Sequence, residues 1–271
     1  MRLSFTGILT LLFAFMMLTP AYGRDSRKKK PHTSVGNSVI IEPDRLVQKT
    51  KTEKSVAPQE DINHLDHKRN RGYINTKYKQ GIDVSHYQHS IDWEAVGTEN
   101  LSYVYLKATE GASLVDSYYK QNLEGARKAG LSVGSYHFYR PNVSWKQQLE
   151  NMTSVVKADD QDIVPMIDIE VGGGGSTFIS NLRTFIEAVE EHYGKKPILY
   201  TYQNFYNKHL QNQFKDYDWM IASYKSGVPK LSDGRSFIMW QYSAKGRIAG
   251  IKGDVDRSQI MEGFSLKKLR L

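Results

Sequence analysis

From Gln80 onward, short apolar runs with strand character alternate with stretches of helical spacing, and few folds accommodate that alternation. The runs are "GIDVS", "SYVYLKAT", "LSVGSYHFY", "IVPMIDIE", "PILYTY", "DWMIASY", "SFIMWQYS" and "GDVDRS". The clearest helix lies between the fourth and fifth. Ser176 can cap it, and Phe178, Ile179, Leu182, Phe185, Ile186 and Val189 form a stripe at helical spacing. Gly194 then stands in the C′ position, and Pro197 opens the next strand. Asp116–Ala129 reads the same way, with Tyr119, Leu123 and Ala126 inward and Gly130 as the stop. Strands alternating with helices imply parallel pairing. Eight strand candidates in one domain suggest a compact TIM-like α/β barrel, with some helices short or missing late in the chain. An open doubly wound sheet is the competing architecture, and in either the functional edge is the C-terminal end of the strands.

The chain upstream is different. Residues 1–23 hold one Arg and no acid, and an apolar stretch from Gly7 to about Leu18 precedes Pro20 and a small-residue ending at Gly23. This is the layout of a signal peptide. The stretch is short for a membrane span, so export is expected rather than an uncleaved anchor. Residues 24–78 are polar and basic, with no persistent period, and read as a disordered leader. The net charge of +8 belongs to residues 1–80, because residues 81–271 hold 22 basic and 22 acidic side chains. A nucleic-acid reader would need its positive charge on the folded surface, so that class is disfavoured. The chain has no Cys, which excludes disulfides, a thiolate nucleophile and Cys-ligated metals. His86, His89, His137, His192 and His209 lack ligand spacing, and no P-loop, dinucleotide or G-x-S-x-G signature occurs. No metal or cofactor is expected.

The fourth run carries two acids and then stops in four glycines, Gly172–Gly175. Side chains alternate along a strand, so Asp168 and Glu170 share one face while Ile167 and Ile169 take the other. Two unpaired carboxylates inside a barrel mouth are costly unless protonated or paired, for example with Lys107. Asp83 ends the first run, and Asp254 and Asp256 sit in the last, where Asp254 alone reads as an ordinary turn acid. First and last barrel strands are neighbours, so Asp83 and Asp256 can converge. Carboxyls crowded around one mouth raise each other's pKa, leaving one protonated as a general acid beside another that is ionised. Glycosidic bond cleavage needs such a pair. Aromatics at strand ends fit a sugar ligand, with Tyr136, His137 and Phe138 on one strand, Tyr200 and Tyr202 on another, and Trp240 and Tyr242 on a third.

With those residues in place, residues 80–264 resemble the lysozymes of glycoside hydrolase family 25, the Chalaropsis type. The resemblance is carried in order by "GIDVSHYQ", "IDW", "YLKATEG", "GSYHFYRP", "MIDIE", "ILYTY", "WQYS" and "DVDRS". It implies a (β/α)5β3 barrel over residues 79–271 that cleaves the β-1,4 bond between N-acetylmuramic acid and N-acetylglucosamine in peptidoglycan strands. It also implies Glu170 as proton donor and Asp168 as the acid that orients the substrate N-acetyl group. Asp83 and Asp256 would be supporting acids, and Tyr136, His137, Tyr200 and Trp240 would line the sugar groove. Ser258 departs from the family's usual Asn in VDxN, which puts the partner of Asp256 in question. A chitinase-like hydrolase would need acids where Ile163 and Met166 stand. A glycan-binding module without catalysis is the other alternative. A monomer is expected.

Overall fold

A computed structural model describes residues 79–173 and 175–271; the signal segment and leader expected over residues 1–78 lie outside the described residues. The strands are β1 (Gln80–Val84), β2 (Tyr103–Glu110), β3 (Leu114–Val115), β4 (Ser132–Phe138), β5 (Met166–Asp168), β6 (Ile198–Tyr202), β7 (Trp219–Ala222), β8 (Met239–Gly246) and β9 (Val255–Ile260). The helices are α1 (Trp93–Val96), α2 (Tyr119–Lys128), α3 (Trp145–Val155), α4 (Phe178–Tyr193) and the short α5 (Gln203–Phe205). The sheet runs β1-β9-β8-β7-β6-β5-β4-β2, and β1 also pairs with β2, so eight strands close on themselves while β3 extends β2 as a flap. Closure leaves no strand edge open among these eight and excludes the doubly wound alternative.

Pairing is parallel from β1 through β2 and β4 to β8. The last strand departs from the parallel expectation: β9 runs antiparallel to both β8 and β1. The physical reason is the connection. Only residues 247–254 join β8 to β9, against 223–238 between the parallel β7 and β8, and a parallel return needs a crossover long enough to span the sheet.

Two apolar layers hold the barrel. Outward residues such as Ile82, Val84, Leu106, Ile167, Ile169 and Leu199 pack in one cluster with Leu182, Phe185, Ile186 and Val189 of α4. Each such side chain contributes roughly 1.5–3 kcal/mol by leaving water. Gly194 ends α4 at φ 69, as its sequence position implies, although Thr177 rather than Ser176 is the N-cap and makes no side-chain cap bond. The inner cluster includes Tyr103, Tyr105, Met166, Ile198, Met220, Met239 and Ile260. Room for the two phenol rings comes from glycines on adjacent strands. A Cβ at Gly81 would lie 2.1 Å from the Tyr103 ring, and one at Gly134 would lie 2.5 Å from Tyr105. Both hydroxyls are satisfied, Tyr103 by Ser258 Oγ at 2.9 Å and Tyr105 by the Val164 carbonyl at 3.0 Å. This plug seals the barrel below its C-terminal mouth.

Candidate active site

Strand parity and register bring the acids together. Asp168 is the last residue of β5, level with Phe138 of β4 and Tyr200 of β6, and it is 7% exposed. Its flanking Ile167 and Ile169 are fully buried on the outer face, as alternation requires, so Glu170 follows Asp168 onto the inner side. Across the barrel, Asp83 and Asp256 are direct cross-strand partners in the antiparallel β1–β9 pair. All four carboxyls line one groove of about 220 Å³, together with Tyr136, Tyr200 and Lys107. Size does not mark this groove. A cleft of about 430 Å³ elsewhere is roomier, but of its two acids, Asp216 and Asp218, the latter is paired with Lys268 at 2.7 Å, and four lysines line it.

Crowding has the expected electrostatic result. Burial, and then the charge of Glu170, push Asp168 well above the ordinary carboxylate range. Asp83 is pushed up by burial and then by Asp256. Burial raises Glu170 as well, while the Tyr200 hydroxyl and the Lys107 ammonium pull it back. Asp256 rises to about 6, through burial and then the Glu170 charge. One oxygen of Asp83 (Oδ2) and one of Asp168 (Oδ1) are buried without a hydrogen-bond partner. A folded chain rarely leaves such atoms bare unless a ligand or water is to meet them.

The groups around the acids orient them. The Gln241 carbonyl oxygen accepts from two phenols, Tyr200 at 2.9 Å and Tyr224 at 2.6 Å. Those bonds fix the amide so that its NH2 group donates to Asp83 Oδ1 at 2.9 Å. Lys107 does not pair with the acid couple as the sequence allowed. It binds Glu110 at 2.7 Å, and Arg140 Nε holds the other Glu110 oxygen at 2.9 Å. Residues three apart on a regular strand face opposite ways. Here a register shift between Lys107 and Thr109 puts Lys107 and Glu110 on the same side. Both cations also flank Phe138, at 5.3 and 4.5 Å from its ring centre.

Two of the expected sugar-groove residues are elsewhere. His137 is fully buried on the outer face, bonded to Thr109 at 2.8 Å and Gln148 at 3.3 Å, against the Phe185 ring. Burial pushes its pKa down to about 4, so it is neutral in the core. Trp240 is also in the outer cluster, donating its indole N–H to the Ser223 carbonyl at 2.9 Å. The reason for both corrections is parity. Tyr136 and Gln241 point inward, so the residues beside them point outward. Tyr136 and Tyr200 do line the groove. Ser258 bonds Tyr103, so it serves the barrel plug. Gln241, Tyr224 and Tyr87 escaped the sequence reading; period-two counting along "MWQYS" would have found Gln241, but no local signal marks the other two. Among the described residues, no group of three or more His, Cys, Asp or Glu side chains is arranged to hold a metal ion.

The model of the family described as "Glycosyl hydrolases family 25" matches residues 82–251. The autolytic lysozyme of Clostridium acetobutylicum is 37% identical over 187 residues, covering 68% of this chain and 56% of that protein. Lysozyme M1 of Streptomyces globisporus is 31% identical over 204 residues, covering 69% of each. Among solved structures, a family 25 glycosyl hydrolase from Bacillus anthracis superimposes with a TM-score of 0.63 at 31% identity, covering 69% of this chain and 91% of its own. The matched segment runs from the first acid strand past the tyrosines and glutamine that orient the groove, and it takes in more than half of the sequence: this chain belongs to glycosyl hydrolases family 25.

Proposed function

We propose that the protein is a muramidase, hydrolysing the β-1,4 bond between N-acetylmuramic acid and N-acetylglucosamine in peptidoglycan. The observation that carries this reading is the convergence of Asp83, Asp168, Glu170 and Asp256 in one groove, on a scaffold shared with proteins named as lysozymes. Glu170 is the least buried member of the β5 pair and carries a raised pKa, which suits a proton donor to the leaving oxygen. Asp168, better buried and with an unpartnered oxygen, suits the group that meets the N-acetyl nitrogen or the charge that develops at the anomeric carbon. Its own raised pKa falls as Glu170 gives up its negative charge by protonation, so a protonated Glu170 and an ionised Asp168 favour each other. Asp83 and Asp256 add negative potential on the far wall, and Gln241 holds Asp83 in register. Tyr136 and Tyr200 supply flat contact surface.

The remaining assignments follow from the same substrate. Peptidoglycan lies outside the cytoplasm, which supports residues 1–23 as an export signal and residues 24–78 as a basic leader ahead of the barrel of 79–271, and we read that barrel as a monomer. Among the described residues no helix is long and apolar enough to cross a membrane. The test is digestion of purified peptidoglycan with mass spectrometry of the released ends. New reducing N-acetylmuramic acid ends are expected. Reducing N-acetylglucosamine ends would assign the other bond, and retention on the wall without cleavage would leave only a binding module.

A further inference from the structure

Tyr87 is the most exposed of the large apolar side chains among the described residues, at 74%, yet it lines the same groove as the acids. An exposed ring on a slack loop would carry no meaning. This ring stands on a turn, His86–Gln88, that is fixed from several sides. Ser85 Oγ accepts the Tyr87 N–H at 3.3 Å, and Gln88 Oε1 accepts the Ser85 N–H at 2.9 Å. The Gln88 amide reaches across to the Asp254 carbonyl at 3.2 Å, joining the turn to the approach to β9. His89 closes the turn at φ 53, a positive value uncommon outside glycine.

The strongest fixing comes from Asp116, 30 residues away, whose side chain is wholly buried. One of its oxygens takes both the His86 backbone N–H at 2.9 Å and His86 Nδ1 at 2.7 Å, while the other takes the Tyr118 N–H at 3.0 Å. The His86 ring lies 4.2 Å from the Tyr87 ring, tilted by 35°, and so backs one side of it. A buried carboxylate, a histidine and a capping box therefore hold an aromatic ring out in water at the edge of a carboxyl groove. Apolar burial would favour folding that ring inward; what this arrangement provides is a ring already ordered, with little left to lose on contact.

We propose that Tyr87 is a stacking platform for an N-acetylhexosamine ring of the glycan where the strand leaves the carboxyl groove, with His86 and Asp116 as the positioning residues that hold it. The inference rests on the hydrolase reading of that groove. A hexosamine offers an apolar C–H face and a polar rim, which match a phenol's flat face and hydroxyl. The occupant's chemistry follows from adjacency. Tyr87 lines the same groove as Asp83, Asp168, Glu170 and Asp256, so a polymer lying along that groove meets its ring.

The test uses the full chain carrying Glu170→Gln, which holds glycan without cutting it, titrated calorimetrically with the N-acetylglucosamine tetramer. Adding Tyr87→Ala is expected to weaken binding by about fivefold, whereas Tyr87→Trp retains or tightens it. Because the ring is exposed, thermal unfolding should be the same in all three. In the cutting enzyme, Tyr87→Ala is expected to lower kcat/KM on long peptidoglycan strands more than on a tetrasaccharide of alternating N-acetylmuramic acid and N-acetylglucosamine. Equal affinity for the Tyr and Ala forms, a Trp form no better than Ala, or no tetramer binding by any form overturns the platform. If binding depends on Tyr87 but wild type releases no sugar ends, the catalytic reading fails and the platform stands. Cleavage by wild type with binding indifferent to Tyr87 is the reverse.

Discussion

The two halves of the barrel interior are built from the same strands and treat polar atoms in opposite ways. In the lower half, Tyr103 and Tyr105 fill the space that Gly81 and Gly134 leave, and each buried hydroxyl has its partner. In the upper half, four carboxyls face one another, and Asp83 Oδ2 and Asp168 Oδ1 have none. The step from one to the other is short: Gly81 and Asp83 are two residues apart on β1, as are Met166 and Asp168 on β5. A barrel can carry that contrast because closure and the outer apolar layer support both halves. The lower half supplies order, and the upper half holds crowded like charges that protonation or a bound substrate relieves.

Truncating the plug should do the most damage. Tyr105→Ala is expected to cost about 3–5 kcal/mol, because it opens a cavity and strips the Val164 carbonyl of its donor. Chemical denaturation would measure it; a loss below 1 kcal/mol would mean the lower half is not the stabilising part. The upper half should respond in the opposite direction. Asp256 has a folded pKa of about 6 against an ordinary value of 3.8, so the folded state binds the proton more tightly. Its contribution is favourable at low pH and is lost as pH rises from about 4 to about 6. Asp256→Asn should therefore gain on wild type across that window by on the order of 3 kcal/mol, read from unfolding curves at successive pH. A gain that grows toward acid instead would reverse the assigned sign. Asp168→Asn should raise stability near neutral pH by about 1–2 kcal/mol while lowering turnover, the pairing expected where a group is kept for chemistry. Smallest is a change remote from both halves: Gly194→Ala, at φ 69, should cost about 1 kcal/mol and leave turnover unaltered. An effect on turnover would show that α4 is linked to the groove.

The same contrast explains what could be read from the sequence. The stripe of α4, the stop at Gly194 and the inward aim of Asp83, Asp168 and Glu170 follow from local periods, so they were legible. The meeting of Asp83 with Asp256 needed only the rule that a closed barrel's ends adjoin. Aromatic content alone points His137 and Trp240 at the groove, but each has an inward neighbour on its strand and itself belongs to the outer layer. The Lys107–Glu110 pair was beyond reach, since a shifted register changes the parity and nothing in "KATE" announces it. Asp116 looked like the beginning of a helix, yet α2 starts at Tyr119 and Asp116 instead ties down His86. That contact spans 30 residues, and only the folded chain displays it.

The most direct test measures turnover on peptidoglycan and thermal unfolding of Glu170→Gln, both on one preparation beside wild type. Turnover should fall by at least ~10²-fold, the scale of losing a general acid, while the unfolding temperature stays level or rises because a raised, crowded carboxyl has become neutral. Retained turnover, or a loss of activity accompanied by a lower unfolding temperature, would contradict the division of the barrel into a half that stabilises and a half that reacts.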